Sequence, residues 1–226
     1  MDIYPLKQGF SVAYLVVDGP DAMLVDTALP GLETQLLRKL DDLNSTLRLI
    51  VLTHFHYDHV GSADAIRTAT RAPVAIHRKD AEALRRGGRL HLRPAPLFST
   101  MGSIAHLLAP GINRTDQKPV TPDLELDDNE DLTVHGGFGR ALPTPGHTPG
   151  SISVLLPNRT LLAGDAITRA PLTHTAAGPM FIDDLAATRT SINTITSHAD
   201  TVHSGHFGTT PSPQKALQRL KRDRPE

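Results

Sequence analysis

Two periods of apolar spacing interleave along this chain. Ser11–Val17 (SVAYLVV) and Ala22–Asp26 (AMLVD) are short β-rich runs, and the turn Asp18-Gly19-Pro20 separates them. Leu32, Leu36, Leu37, Leu40 and Leu43 keep a helical period, so Leu32–Leu43 reads as a helix. Leu47–Thr53 (LRLIVLT) reads as a buried strand, Ser62–Thr70 as a helix, Pro73–His77 as a strand and Lys79–Arg86 as a further helix. From Gly87 to about Pro122 the pattern breaks down into Gly-Gly, several prolines and one apolar stretch around Leu97–Leu108 that reads as helical. Strand signals return at Leu132–His135, Arg140–Leu142, Ser151–Leu156 and Thr160–Ala163, with Pro157-Asn158 turning between the last two. Asp184–Thr196 reads as a helix, Asp200–His203 as a strand and Ser212–Arg222 as a closing amphipathic helix. Helices and strands alternate without a fixed repeat or a Gly-rich phosphate loop, which argues for a layered α/β architecture around a core of sheet.

Length and composition narrow the picture. The 226 residues fit one domain over 1–226, with residues 87–122 as a pocket-lining insertion. A formal net charge of −1 offers no general attraction for nucleic acid or an anionic membrane. Aromatics make up 4% with no Trp, which disfavours a base-stacking platform. There is no Cys, so disulfides, thiolate metal sites and a Cys nucleophile are excluded and any metal must be held by nitrogen and oxygen. Met1–Pro5 does not resemble a signal peptide and the apolar runs are far shorter than a membrane span, so a cytoplasmic location is expected.

Against that plain background, 12 histidines are unusual, and several cluster. His54-Phe55-His56-Tyr57-Asp58-His59 follows the expected strand Leu47–Thr53 directly. In an extended segment residues i and i+2 point the same way, so His54 and His56 can reach one ion together. If the chain then turns, Asp58 and His59 face a neighbouring position. Imidazole and carboxylate are suitable donors for Zn²⁺ and other first-row metals. Pro145-Gly146-His147-Thr148-Pro149-Gly150 mounts one more histidine in a stiff turn. Leu161–Asp165 ends an apolar strand on a carboxylate, where a charge is costly unless it is paired or binds metal. Near a late strand end His203 and His206 compete, and the glycines Gly205 and Gly208 around His206 favour the latter.

HFHYDHVG, then TPGHTPGS, LAGDA and SGHFG in that order, with DTALPG at Asp26–Gly31, resemble the metallo-β-lactamase-fold superfamily over nearly the whole chain. The glyoxalase II-like and lactonase-like branch is the nearest in pattern. The resemblance implies a four-layered αββα sandwich with a site along one edge. It also implies that His54, His56 and His147 bind a first metal, that Asp58, His59 and His206 bind a second, and that Asp165 bridges both. Asp26 and Thr53 are then residues that orient ligands. Two Zn²⁺ are the expected cofactors, with Fe or Mn as possible substitutes. About 3.5–4 Å apart, two such ions can hold a shared water as hydroxide near neutral pH. Asp58 is the candidate catalytic residue, accepting a proton during turnover, and Tyr57 faces either the pocket or the core, the core being slightly favoured.

The resemblance leaves the reaction open. Asp165 supplies a bridging carboxylate that the β-lactamase branch typically lacks, which disfavours β-lactam cleavage. Only 20 residues follow His206, too few for the C-terminal domain of glyoxalase II, and Thr168 stands where lactonases often carry Tyr. The expectation is therefore hydrolysis of an ester, thioester or lactone of a small molecule, without nucleic acid or membrane partners. Residues 168–182 and 87–122 would wall the pocket. Arg85, Arg86, Arg89 and Arg93 either receive an anionic substrate or merely solubilise a loop, the second being favoured, and His91, His106 and His174 are read as surface residues. The alternatives are a mononuclear iron sulfur dioxygenase built on His54, His147 and Asp165, and a compact metal-dependent nuclease.

Overall fold

The computed structural model describes residues 1–89, 93, 107, 116–169 and 176–210. A first sheet contains β1 (Asp2–Gln8), β2 (Ser11–Asp18), β3 (Asp21–Val25), β4 (Thr46–Leu52), β5 (Val74–His77) and β8 (Leu124–Leu126), hydrogen-bonded in that order. β1 to β3 are antiparallel, and β4, β5 and β8 run parallel to β3. The parallel connections carry α1 (Glu33–Asp42), α2 (Tyr57–Val60), α3 (Ala63–Thr70) and α4 (Arg78–Arg86). A two-stranded ribbon of β6 (Gly88–Arg89) and β7 (Asp116–Gln117) precedes β8. The second sheet has the order β15 (Gly208–Thr210), β14 (Thr201–Ser204), β11 (Thr160–Leu162), β10 (Ile152–Leu155) and β9 (Arg140–Pro143). A short pair, β12 (Thr168–Arg169) with β13 (Ala176–Ala177), and the helix α5 (Leu185–His198) complete the described elements.

Three apolar clusters show how the layers stack. In β2, Val12, Tyr14 and Val16 point into a cluster shared with Met23, Leu49 and Val51 of the first sheet and Ala141, Ile152, Val154 and Leu162 of the second. That cluster lies between the sheets. The alternate residues Ala13, Leu15 and Val17 join Leu36, Leu40, Ile66, Ala81 and Leu84, under α1, α3 and α4. Burial on both faces explains why SVAYLVV is apolar without alternation. The outer face of the second sheet, through Leu161 and Val202, packs on Ile192 and Ile195 of α5. The result is helix, sheet, sheet, helix: the expected αββα sandwich.

The sequence expectation placed most core elements within a residue or two, and it erred in informative places. Leu132–His135 was expected as a strand and is a single 3₁₀ turn. Asp131 caps it by accepting the Thr133 N–H, Gly136 closes it at φ +82°, and Val134 is exposed, so local capping overrides a β-branched pair. β1 was missed because only Leu6 of it is buried. It is an edge strand, which also tolerates Pro5. α5 is rich in Thr and Ser, weak helix formers, yet runs 14 residues because Asp184 caps it through the Ala187 N–H and Ile192 and Ile195 are buried. The closing helix Ser212–Arg222 and most of the 87–122 segment lie outside the described residues, as do His91, His106 and His174. Among the described residues no helix is long and apolar enough to cross a membrane.

Candidate metal centre

Several strands that end at one rim of the sandwich deliver polar side chains to the same place. β3 is followed by Asp26, β4 by Thr53 and His54, β11 by Asp165 and β14 by His206, while His147 sits in the turn between β9 and β10. Backbone hydrogen bonds stitch the two sheets there. The Ile152 N–H donates to Thr53 O at 2.9 Å, and the Val12 N–H to Gly205 O at 2.8 Å. Past β4 the chain bends at Thr53 and His54, is extended at His56 (φ −69°, ψ 146°) and then enters α2, which swings Asp58 and His59 to a position beside the first two histidines. Gly205 makes the closest approach possible: a Cβ there would lie 2.4 Å from Cε1 of His59.

Among the described residues, three sets of ligand atoms converge within 4.8 Å of one another: His54, His56 and His147; Asp58, His59 and His206; and His54, His59 and Asp165. Asp165 reaches towards both of the first two sets. Its Oδ2 is 3.6 Å from His147 Nε2, and its Oδ1 is 3.3 Å from His59 Nε2 and 3.2 Å from His206 Nε2. His206 Nε2 also lies 3.2 Å from Asp58. His203 takes no part. It stacks on Tyr14 at 5.2 Å and bonds Thr209, which decides the competition left open in the sequence.

The hydrogen bonds behind the rings fix which nitrogen faces the centre. His147 Nδ1 can only donate to the Phe181 carbonyl, at 2.7 Å, and His206 Nδ1 only to the Phe10 carbonyl, at 3.1 Å. Thr53 Oγ1 gives its proton to Asp26 Oδ2 at 2.9 Å, so it accepts from His54 Nδ1 at 3.0 Å. Asp26 Oδ2 also takes the His59 Nδ1 proton at 2.8 Å, and Oδ1 takes the Thr53 N–H at 2.8 Å. In their neutral forms these four imidazoles therefore aim the bare Nε2 inward. His54 and His147 bring two lone pairs within 3.2 Å of each other, and His56 Nδ1 lies 2.9 Å from His147 Nε2. Acceptors that converge in this way repel unless a cation sits among them. Donors of a tetrahedral ion with bonds of about 2.0–2.1 Å stand about 3.3 Å apart, close to the observed spacing.

Charge balance points the same way. Burial, together with the neighbouring histidines, lowers His54 and His56 well below the ordinary imidazole value. Burial would also lower His206, but Asp165 and Asp58 overcome it and raise the group to about 10. His59 likewise ends well above its ordinary value through Asp26, Asp165 and Asp58. Burial would raise Asp58 and Asp165, yet the adjacent His59 and His206 hold both carboxyls below the usual range. Carboxylates gathered at the rim thus demand positive charge, which protons on His59 and His206 supply when no ion does. Asp165 Oδ1 is buried without a hydrogen bond of good geometry, as a ligand atom awaiting an ion would be.

A pH dependence follows. A folded-state value of about 10 for His206 lies above the unfolded 6.5. Its contribution to the stability of the metal-free protein is full below 6.5 and is lost as pH rises through about 10. Metal must expel that proton, so affinity is expected to rise with pH across this window, by about tenfold per unit for each proton displaced. Chelator competition at pH 7 and pH 9 measures it, and equal affinities at the two values would refute the assignment.

The sequence missed several supports of the site. The Phe10 and Phe181 carbonyls leave no signal in side-chain identity. α5 buttresses the His147 turn: Ser191 Oγ donates to Pro145 O at 2.7 Å, and the Asp183 and Asp184 N–H groups donate to Gly146 O. Asp80, on α4, was also overlooked. Of the basic run, Arg85 pairs with Glu125 and Arg86 with Glu82, and Arg93 is exposed. Tyr57 is half-buried rather than in the core.

The model of the metallo-beta-lactamase superfamily matches residues 6–225. The Bacillus subtilis protein YobT is 36% identical over 156 residues, 68% of this chain and 60% of its own length. A Streptococcus pyogenes protein named as a probable metallo-hydrolase is 28% identical over 85% of this chain and 77% of its own. Among solved structures, the BLEG-1 B3 metallo-beta-lactamase is 27% identical, with a TM-score of 0.63 and 92% of each chain covered. TTHA1623, solved in a di-iron-bound form, is 25% identical, with a TM-score of 0.64 over 100% of this chain and 99% of that one.

Proposed function

This chain belongs to the metallo-beta-lactamase superfamily, and on that premise we propose that it is a dinuclear metal-dependent hydrolase that cleaves an ester, thioester or lactone of a small molecule. His54, His56 and His147 would hold one ion, Asp58, His59 and His206 would hold the other, and Asp165 would reach both. The observation that carries this reading is the division of Asp165, one oxygen turned towards His147 and the other towards His59 and His206. A mononuclear site on His54, His147 and Asp165 would leave the second cluster of Asp58, His59 and His206 without a purpose.

Zn²⁺ is the ion proposed, with Fe or Mn as substitutes; when bound, such ions would supply Lewis-acid activation of water and of the substrate carbonyl. The chain's own groups do the rest. Asp26 and Thr53 hold His59 and His54 in the orientation that turns their Nε2 atoms inward. Asp58, the most exposed of the site carboxylates at 21%, is placed to accept a proton during turnover. With no Cys in the chain, no thiol nucleophile competes with this chemistry. The names carried by the relatives, probable metallo-hydrolases among them, are consistent with a hydrolytic role.

Elemental analysis of protein purified without chelator tests the reading, alongside His59→Ala and His206→Ala. The expected outcome is about two ions per chain, about one in each variant, and hydrolysis of at least one of a model ester, thioester or lactone. A single iron that neither variant affects would overturn it in favour of an oxygen-dependent reaction. Cleavage of single-stranded RNA with added Zn²⁺ or Mn²⁺, and of none of the small substrates, would overturn it in favour of a nuclease.

A further inference from the structure

Asp80 stands where α4 should be apolar. It shares the buried face of that helix with Ala81 and Leu84, and it is 1% exposed. Its Oδ2 accepts the Thr148 hydroxyl at 2.6 Å and its Oδ1 accepts the Gly150 N–H at 2.7 Å. The Phe55 amide adds a hydrogen bond to the charged carboxylate. Thr148 follows His147, and Phe55 lies between His54 and His56. One carboxylate therefore ties together the two loops that carry all three histidines of the first cluster. The fit is tight: a Cβ on Gly150 would lie 2.5 Å from Asp80 Oδ1. Ser151 extends the same network, its hydroxyl 2.7 Å from that of Thr148 and taking the Thr148 N–H at 3.0 Å.

Space-filling does not account for this residue. Burial pushes the Asp80 carboxyl up to about 6, a cost that an apolar side chain at the same point would not carry. Buried charge is retained where its directional bonds fix a geometry that packing alone would leave loose.

We propose that Asp80 is a positioning residue for the first metal position, holding the Phe55 and Gly150 backbones and the Thr148 side chain so that His54, His56 and His147 converge on one point before an ion arrives. The inference rests on the dinuclear reading above. Removal of such a support weakens metal binding by about 10–100-fold. The loss should fall on the position of His54, His56 and His147, with much less change at that of Asp58, His59 and His206.

Cobalt(II) titrated into metal-free protein against a chelator, followed by its visible absorption, reads affinity and coordination together. Wild type, Asp80→Ala and Asp80→Asn are compared, and each again in the His59→Ala background, where the first position is read alone. The expected result is a 10–100-fold weaker first position with an altered cobalt spectrum in the Asp80 variants. If Asp80→Ala does not fold, Asp80→Asn, which keeps the volume, decides the matter. Two cobalt ions in wild type with unchanged binding in the Asp80 variants would overturn this inference and leave the dinuclear reading standing. Parallel weakening of both positions, together with a lower melting temperature of the metal-free protein, would show a general structural role and also overturn it. A wild type that takes up no cobalt would end the dinuclear reading and this inference with it.

Discussion

Asp165→Ala is expected to disable both metal positions and to lower hydrolytic turnover by at least about 10³-fold. Asp165 is one of the few groups that reach both clusters, through Oδ2 towards His147 and Oδ1 towards His59 and His206. Losing metal removes several kcal/mol of transition-state stabilisation, and each 1.36 kcal/mol is a factor of ten in rate. A carboxylate is also the anion that the surrounding imidazoles balance: burial would raise Asp165, yet His206 and His59 hold it well below the ordinary value. Its removal leaves those histidines without their counter-charge. The variant should keep its fold, because Asp165 is not part of the apolar clusters, although the lost counter-charge lowers the stability of the metal-free protein. Metal content and turnover on the best of the model substrates check the prediction. Two ions per chain with activity near wild type would refute the bridging role.

Asp26→Ala is expected to destabilise the metal-free protein by about 3–5 kcal/mol, which for a chain of this size lowers the melting temperature by on the order of 10 °C. Asp26 is 2% exposed and receives three hydrogen bonds: from the Thr53 N–H, the Thr53 hydroxyl and His59 Nδ1. Truncation leaves all three donors buried without an acceptor, and His59 without the nearest charge that keeps it protonated in the absence of metal. The backbone at Asp26 has φ +62°, a conformation that Asn and Asp adopt more readily than Ala, so the variant carries strain as well. Asp26→Asn separates the effects. It suits the backbone and keeps one acceptor but loses the charge, so it should cost less stability than Asp26→Ala while still weakening metal at the His59 position by about 10–100-fold. Thermal unfolding of the metal-free variants and cobalt competition provide the two readouts. A loss below about 1 kcal/mol for Asp26→Ala would place it among ordinary substitutions and refute the hub role.

Asp26 and Asp80 share a principle. On the proposed reading each metal position would rest on a buried carboxylate whose bonds run to the loops that carry the ligands: Asp26 to Thr53 and His59, Asp80 to Thr148 and Gly150. Such groups cost stability and supply direction.

How much of this was legible beforehand depends on how far apart in the chain the interacting groups lie. The strand–turn–helix order, the apolar β4 leading into His54, and the donor-rich HFHYDH segment are local features, and local spacing with hydrophobic period was enough to read them. The later motifs TPGHTPG, LAGD and SGHFG announce polar groups at strand ends, and matching them in order named the same histidines and aspartates that the structure brings within 4.8 Å in three overlapping sets. What no local pattern could decide was who faces whom. The preference for His206 over His203 is settled by β14, whose alternation sends His203 towards Tyr14. The inward Nε2 atoms depend on carbonyls of Phe10 and Phe181, 196 and 34 residues away from their histidines, and backbone carbonyls carry no sequence signature. The strand expected at Leu132–His135 failed because its caps and its exposure outweigh β-propensity. Asp80 left one trace, a charge on the buried face of an amphipathic helix. By itself the sequence determined most of the core elements and which donors exist, because both follow from composition and short-range period. The tertiary structure alone decided the orientation of each donor, because that is set by hydrogen bonds between segments brought together only when the two sheets close on each other.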